Sequence, residues 1–159
     1  LTPDPRKVEL AIERLDLAGV ADWPYPELSV GQQQRVTIAR ALAQLGPRGH
    51  LILDEPVSAM DLRHSHQCMS IFRELAEAGA TVILAVHDLS LAAAVADEAW
   101  LLDRGELVSE GAIAEVMAVD QLQEVFGVAF GWIDSPWGGR ILAARAAGAE
   151  LRLQSGSHG

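Results

Sequence analysis

The amino-acid sequence predicts an α/β domain with a parallel sheet core, flanking helices and β-hairpins toward its C-terminal end. Two short apolar runs, 51–53 and 81–86, end in polar residues and are separated by a stretch of helical periodicity. An order of strand, helix, strand and helix is typical of a parallel sheet with right-handed crossovers. Two later segments, 100–109 and 130–144, are predicted as hairpins because turn residues separate short β-rich runs.

Length and composition limit the classes of function. The chain has 159 residues, half of them hydrophobic, which is sufficient for one domain with its own core. Its net charge of −10 argues against nucleic acid or an anionic membrane surface as a direct partner. The only lysine is Lys7, and the single cysteine cannot form an internal disulfide. The start is polar and proline-rich, unlike a signal peptide, and Leu1 in place of Met leaves upstream residues open.

Two helices are predicted in the first third of the chain. Asp4 and Pro5 suit the cap and first turn of one helix, which is expected to end at Gly19. Ser29 and Gln32 have the spacing of a capping box at the start of the second. The buried face expected in the second helix consists of Val36, Ala39, Leu42 and Ala43.

The middle of the chain is predicted to form the parallel strands and their crossover helix. The run 51–53 is short and continuously apolar, as expected for a strand buried on both faces of a sheet. A helix over 61–77 follows, and 81–86 is the second strand. Ser90 is expected to cap a short helix that ends near Ala96. The buried residues expected in the crossover helix are Met69, Phe72 and Leu75.

The last third contains the two hairpins and, between them, short helices predicted near 113–117 and 120–126. The second hairpin is expected to turn at 135–139, where Trp137 is most simply a turn residue. The small and polar tail from residue 146 is expected to fray.

Polar residues follow both predicted strands. In open α/β sheets, ligands bind beyond the carboxyl ends of the strands, where the carboxylates of Asp54 and Glu55 could hold a hard cation or act as a base. His87 would lie near this pair if the two strands are neighbours. Taken alone, an acidic turn and a turn histidine are the simpler interpretations.

The segment 28–32 opens the second predicted helix. Free N–H groups at a helix start, the side chains of Ser29 and Gln32, and the missing side chain of Gly31 together suit a phosphate. An ordinary capping box explains Ser29 and Gln32 equally well.

Other candidates in the crossover helix are weaker. His64 and His66 are two residues apart and point to different faces of a helix, which makes a poor metal site. Cys68 suits a helix position better than the role of a nucleophile.

The order and spacing of the motifs are more specific than any one of them. The runs are LSVGQQQRV at 28–36, RAL at 40–42, LILDEP at 51–56, SAMDL at 58–62 and HD at 87–88. In this order they resemble the ATP-binding cassette (ABC) ATPase family over nearly the whole chain. The resemblance implies a partial P-loop NTPase fold. In it, 28–32 is the signature motif, 52–55 ends the Walker B strand, 58–61 is the D-loop and His87 is the switch histidine.

The resemblance also implies catalytic roles. Two such domains form a head-to-tail dimer with ATP sandwiched at each interface. Asp54 would hold Mg²⁺ through water, and Glu55 would be the general base that activates the attacking water. His87 would contact the γ-phosphate and stabilise the transition state, in agreement with the physics of phosphoryl transfer.

The signature motif and the D-loop would act across the dimer. Ser29, Gly31 and Gln32 would hold the γ-phosphate of the ATP bound to the partner subunit. Asp61 would help to couple the two ATP sites. The family's usual signature has glycine where this chain has Val30, which is expected to be a tolerated variant.

The glycine-rich phosphate loop of the family is not found in this sequence. That loop needs a lysine among glycines, and Lys7 has no glycine near it. The family's Q-loop glutamine and adenine-stacking aromatic residue are not placed either. The chain is therefore expected to be the C-terminal portion of one ABC ATPase domain, unable to hydrolyse ATP by itself. Its expected parts are a signature-helix subdomain at 1–48, a catalytic core at 49–111, C-terminal helices and a hairpin at 112–145, and a flexible tail at 146–159.

Two further segments resemble bacterial importers. The stretch 101–117 looks like importer ATPases, and 121–128 is similar to subunits that serve iron-siderophore, haem and cobalamin importers. The resemblance implies a peripheral subunit on the cytoplasmic face of the inner membrane, bound to two permease subunits. A periplasmic or lipid-anchored binding protein would deliver the substrate.

Three alternatives stay open. An ABC ATPase of DNA maintenance would share the core motifs, although neither heptads nor a basic patch is found here. A degenerate subunit would supply only the signature surface to a complete partner. A phosphoacceptor receiver domain ranks last because it needs a late lysine, and the sequence has none after Lys7.

Overall fold

The computed structural model describes residues 4–136 and 138–145. It divides the chain into two compact units, Leu1–His87 and Asp88–Gly159, here called unit 1 and unit 2. Trp137, predicted as a turn residue, and the tail from residue 146, predicted to fray, lie outside the described residues. Within the described ranges, no helix is both long enough and apolar enough to cross a membrane.

The described part of unit 1, residues 4–87, contains the parallel strand pair and three α-helices. Its two strands, β1 (His50–Asp54) and β2 (Thr81–Ala85), pair in parallel along their whole length, which confirms the predicted parallel arrangement. The elements in chain order are α1 (Pro5–Arg14), two 3-10 turns (Ala18–Val20 and Tyr25–Glu27), α2 (Val30–Gln44), β1 (His50–Asp54), α3 (Leu62–Glu77) and β2 (Thr81–Ala85).

The end of α1 differs from the prediction. The helix begins as expected, with the Asp4 carboxylate accepting from the N–H of Arg6, but it ends at Arg14 and not at Gly19. The guanidinium of Arg35 donates to the carbonyls of Leu15 and Asp16 at 2.7 and 2.9 Å. A distant side chain thus satisfies carbonyls at the helix end that a further turn would otherwise occupy.

The buried face of α2 is rotated from the one predicted. Ala39 and Ala43 are buried as expected, whereas Val36 and Leu42 are only half-buried. The other buried residues are Ile38 and Arg35. Because the charged residue Arg35 occupies this face and is held there by hydrogen bonds, the spacing of apolar residues alone does not identify the face.

The crossover helix α3 and the strands agree with the prediction in position but not fully in burial. Met69 and Phe72 are buried, while Leu75 is half-buried. The expectation that the first strand is buried on both faces is wrong, because Ile52 is 72% exposed and its register partner Ile83 is also exposed. Side chains alternate along a strand, so these two share the uncovered face, opposite the buried Leu51.

In unit 2, residues 88–136 and 138–145 form two antiparallel hairpins and three helices. Both predicted hairpins are confirmed, and both extend beyond the predicted segments, to 98–112 and 129–145. The elements in chain order are α4 (Leu89–Val95), β3 (Glu98–Asp103), β4 (Glu106–Ala112), α5 (Ile113–Val116), α6 (Val119–Phe126), β5 (Ala129–Asp134) and β6 (Arg140–Arg145).

The cap of α4 differs from the prediction. Asp88, not the predicted Ser90, caps α4, because its carboxylate accepts from the N–H of Leu91 at 3.0 Å. Ser90 lies inside the helix, and its hydroxyl donates to the carbonyl of Leu142 at 2.6 Å. An apolar cluster forms the core of unit 2, and its buried residues are Leu101, Val116, Met117, Leu122 and Leu142.

Candidate functional site

The predicted polar residues meet at the carboxyl end of the strand pair in unit 1. Asp54 ends β1, Glu55 follows it, and His87 lies two residues after the end of β2. Because the strands are parallel and in register, Glu55 Oε2 and His87 Nδ1 come within 2.7 Å. The expectation that His87 lies near this acidic pair is confirmed. An ionised carboxylate can only accept, so Nδ1 carries the proton of this hydrogen bond.

The backbone of Glu55 is held on both sides. Its φ of 45° lies in the left-handed region, where residues other than glycine are uncommon. Its N–H donates to the carbonyl of Ala85 at 2.9 Å. Its carbonyl accepts from the N–H and hydroxyl of Ser58, at 3.3 and 3.0 Å, and from the amide of Gln34 at 2.7 Å. These bonds hold a conformation that the residue would not adopt unaided.

Both side chains of the contact between Glu55 and His87 are exposed to solvent. The side chain of His87 is 76% exposed and that of Glu55 is 40% exposed. Exposed ion pairs contribute little because solvent screens them and long side chains lose freedom in forming them. The position of the Glu55 carboxylate is therefore set mainly by its backbone.

Asp54 is the candidate magnesium ligand. Its carboxylate is exposed, and in the described part of the chain it makes no hydrogen bond or ion pair. No group of three metal-ligating side chains is found there either. Mg²⁺ commonly keeps several waters and takes one or two carboxylates, so a single free carboxylate beside Glu55 fits an ion held through water.

The start of α2 forms the complete capping box. Ser29 Oγ accepts from the N–H of Gln32 at 3.3 Å, and Gln32 Oε1 accepts from the N–H of Ser29 at 2.8 Å. The cap uses only acceptor atoms of these two side chains. The Ser29 O–H and the Gln32 side-chain amide hydrogens have no other partner among the described residues, so they are free to donate to an anion at the helix start. The cap and a phosphate site are compatible at this position.

Gly31 packs α2 against the loop that follows β1. A Cβ at Gly31 would lie 2.8 Å from the carbonyl oxygen of Ala59, closer than real Cβ contacts. Glycine is therefore needed for this intramolecular approach, in addition to any role in binding an anion. Val30, the departure from the family's usual signature, is 68% exposed.

Sequence reasoning missed the three residues after Gln32. The amide of Gln33 donates to the carbonyls of Tyr25 and Leu28, both at 3.1 Å. The amide of Gln34 reaches the loop after β1, and Arg35 holds the end of α1. Successive helix positions point about 100° apart, so a run of long polar residues in the first two turns of a helix could signal anchors to several neighbouring segments.

Asp61 is the N-cap of α3. Its carboxylate accepts from the N–H of His64 at 2.9 Å and from the ring Nδ1 of His64 at 2.8 Å. The backbone bond first, and the ring bond second, lower the pKa of Asp61 below its ordinary value of 3.8. The other ring nitrogen of His64 is buried without a hydrogen bond, 3.6 Å from the carboxylate of Asp16.

Cys68 is buried in α3, as its sequence position indicates. Burial raises the pKa of its thiol to about 11, and the nearby charge of Arg35 opposes this only in part. The thiol stays protonated at neutral pH and is not a nucleophile.

The chain is similar in sequence to known transport proteins. A family model described as ABC transporter matches residues 3–58. The hemin import ATP-binding protein HmuV of Ruegeria sp. (strain TM1040) is 43% identical over 123 residues, which is 74% of this chain and 47% of that protein. HmuV of Streptomyces coelicolor is 44% identical over 123 residues, which is 77% of this chain and 43% of that protein. The chain thus spans less than half of each of these two relatives.

Solved structures show the same fold. A transporter described as a metal-chelate type ABC transporter, in an inward-facing conformation, aligns over 91% of this chain and 59% of its own, with a TM-score of 0.76 and 22% identity. A bacterial ABC transporter cassette solved as a dimer aligns over 68% of this chain and 46% of its own, with a TM-score of 0.61 and 30% identity. The mixed α/β fold class predicted from the sequence is therefore confirmed.

Proposed function

Because the chain belongs to the ABC transporter ATPase family, we propose that it forms the hydrolytic and signature part of a bacterial importer ATPase. The observation that carries this proposal is the contact of Glu55 with His87 beside the free carboxylate of Asp54, at the carboxyl end of two parallel strands. That end of a parallel sheet is where α/β proteins bind their ligands.

The residues at this edge suit the hydrolysis of ATP. Water attacks the γ-phosphorus as the bond to the bridging oxygen breaks, and Glu55 takes the proton of the attacking water. Asp54 fits Mg²⁺ held through water, and the bound ion would neutralise charge on the phosphate oxygens. His87 already donates from Nδ1 to Glu55, so it must carry a proton on both ring nitrogens to donate to the γ-phosphate as well.

The start of α2 would face the ATP of a second subunit. The free O–H of Ser29 and amide of Gln32, together with the first N–H groups of the helix, offer donors to a γ-phosphate. The close approach of Gly31 to Ala59 keeps this helix start beside the loop that carries Asp61. Asp61 would couple the two ATP sites of a head-to-tail dimer.

The phosphate-binding lysine must come from outside these 159 residues. The single lysine, Lys7, lies in the first turns of α1, and its ammonium donates to the carbonyl of Leu45 at 3.0 Å. It is neither in a glycine-rich loop nor free. We therefore infer that ATP turnover requires a glycine-rich loop supplied by another segment or subunit, and that this chain alone does not turn over ATP.

The assembly would be an importer of haem or another metal chelate, by analogy with the relatives named hemin import ATP-binding protein. The chain would lie on the cytoplasmic face of the inner membrane, held by permease subunits. A periplasmic or lipid-anchored binding protein would deliver the substrate to those permeases.

A complementation experiment tests this proposal. The chain is mixed with the HmuV relative of Ruegeria sp. in which the relative's own signature serine has been replaced, and MgATP turnover is measured. We expect no turnover from either protein alone and restored turnover in the mixture, because one complete site then pairs the relative's glycine-rich loop with the signature of this chain. Robust turnover by the chain alone, or no restoration at saturating chain, would contradict the proposal.

A second candidate is a subunit that supplies only the signature surface. The absence of a second lysine favours it, and the intact Glu55 and His87 oppose it. In the complete importer, Glu55→Gln should abolish hydrolysis at each ATP site that contains this residue if the residue is catalytic. It should leave the rate unchanged if only the signature surface is used.

A further inference from the structure

Gln34 joins α2 to the loop that follows β1 through both ends of its side-chain amide. Its Nε2 donates to the carbonyl of Glu55 at 2.7 Å and lies 3.4 Å from the hydroxyl of Ser58. Its Oε1 accepts from the N–H of Ala59 at 3.2 Å. The loop from 55 to 59 is thus bound at its first and last residues by one side chain, more than twenty positions earlier in the sequence.

The helix that carries Gln34 is itself held in place over its first two turns. The capping box closes its start, and the neighbouring Gln33 and Arg35 bind the segments 25–28 and 15–16. A side chain on such an anchored turn presents its amide from a fixed backbone, so the loop that it binds is fixed as well.

The Glu55 residue needs such an anchor. Its left-handed backbone conformation persists only where the surroundings hold it. Its contact with His87 is exposed and cannot hold the geometry alone. The hydrogen bond from Gln34 is the shortest of the three that its carbonyl accepts.

We propose that Gln34 is a positioning residue that holds Glu55 in the backbone conformation from which its carboxylate reaches His87. Its importance for ATP hydrolysis rests on the function proposed above. The contact between Gln34 and the loop concerns only residues of unit 1 and can be tested without nucleotide.

The test compares Gln34→Met with Gln44→Met in the full 159-residue chain. Gln44 lies in the same helix, and its amide donates only to the carbonyl of Arg40, at 2.9 Å, among the described residues. Amide hydrogen exchange is measured at Glu55 and Ala59, and the ring ¹⁵N shifts of His87 report its contact with Glu55. The shifts in Glu55→Ala define the uncoupled ring.

In Gln34→Met we expect exchange at Glu55 and Ala59 to rise by about tenfold or more, and the His87 ring shifts to move toward those of Glu55→Ala. Gln44→Met should change neither signal. Wild-type exchange and His87 shifts in a folded Gln34→Met would overturn the proposal.

A second variant keeps the proposal testable if Gln34→Met does not fold. In Gln34→Glu, one carboxylate oxygen still accepts from the N–H of Ala59, while the other repels the carbonyl of Glu55. We expect Ala59 to stay protected and the His87 signature to be lost, whereas retention of that signature would overturn the proposal. Since no nucleotide is present, a failure of ATP turnover in the complementation experiment does not affect these readouts.

Discussion

Unit 1 and unit 2 both bury apolar side chains, but unit 1 adds several long-range polar anchors to an apolar core that includes Ile38, Met69 and Phe72. In unit 1, long polar side chains reach backbone groups of distant segments, as Arg35 reaches Leu15 and Gln34 reaches Glu55. In unit 2, two hairpins and short helices pack around an apolar cluster centred on Leu122, which is fully buried. The residues of the proposed ATP chemistry all lie in unit 1.

The difference has a physical basis. Apolar packing is not directional and positions whole elements, whereas a hydrogen bond fixes one chosen group against another. A hydrolytic site needs single carboxylates and N–H groups at defined places, so polar anchors suit it better. Substitutions in the apolar core and at the polar anchors separate these two kinds of support.

The largest effect is expected from the core of unit 2. Leu122→Ala should lower the free energy of unfolding by about 2–5 kcal/mol, because it removes buried methyl groups and leaves a cavity. Leu107→Ala is the control, since Leu107 is 53% exposed in the same unit. Urea unfolding measures the free energy of unfolding of both variants. A decrease in Leu107→Ala as large as that in Leu122→Ala would contradict the claim that buried packing stabilises this unit.

The next effect concerns the buried charge of unit 1. Arg35→Met should cost about 1–3 kcal/mol, because the carbonyls of Leu15 and Asp16 lose their donors. Arg35→Lys should recover part of this loss, since an ammonium can still donate to one carbonyl. The exposed Arg40→Met serves as the control in urea unfolding. Equal stability of the two methionine variants would show that this anchor is dispensable.

A smaller effect is expected at the start of α2. Ser29→Ala should cost about 1 kcal/mol, because the N–H of Gln32 loses its acceptor. Ser29→Asp should remain near wild type, since aspartate is an equally good cap and its charge favours a helix N-terminus. Thermal unfolding measures both, and an alanine variant as stable as wild type would show that the capping box contributes nothing.

The smallest effect is the pH dependence of the α3 cap. The pKa of Asp61 is lower in the folded chain than its ordinary 3.8, so its contribution is fully present above that value. The contribution should vanish as the pH falls through the lowered pKa. The difference in unfolding free energy between the chain and Asp61→Asn, measured against pH, should therefore be constant near neutral pH and shrink in acid. A difference that grows in acid would contradict the direction of the shift.

Local signals in the sequence predicted more than distant ones did. The caps at Asp4 and Ser29 and the start of α3 after Asp61 were predictable, because each depends on residues within one turn. The end of α1 was not, since Arg35 sets it from twenty positions away. Gln34 was missed for the same reason, as its amide binds residues that lie far along the chain.

Burial was the least predictable property. The apolar run of β1 indicates a strand but not which faces are covered, and Ile52 is exposed where the pattern predicts burial. The contact of Glu55 with His87 could be predicted only on the condition that the two strands are neighbours. The pairing of β1 with β2 meets that condition.

The most direct test asks whether the anchored start of α2 binds phosphate or is only a helix cap. ATP-dependent association of the chain with the HmuV relative of Ruegeria sp. is measured by light scattering for wild type, Ser29→Thr and Ser29→Asp. All three can cap α2, but only the first two keep a hydroxyl donor, and the third places a negative charge against the phosphate. We expect ATP-dependent association for wild type and Ser29→Thr and none for Ser29→Asp. Equal association of all three would contradict the account.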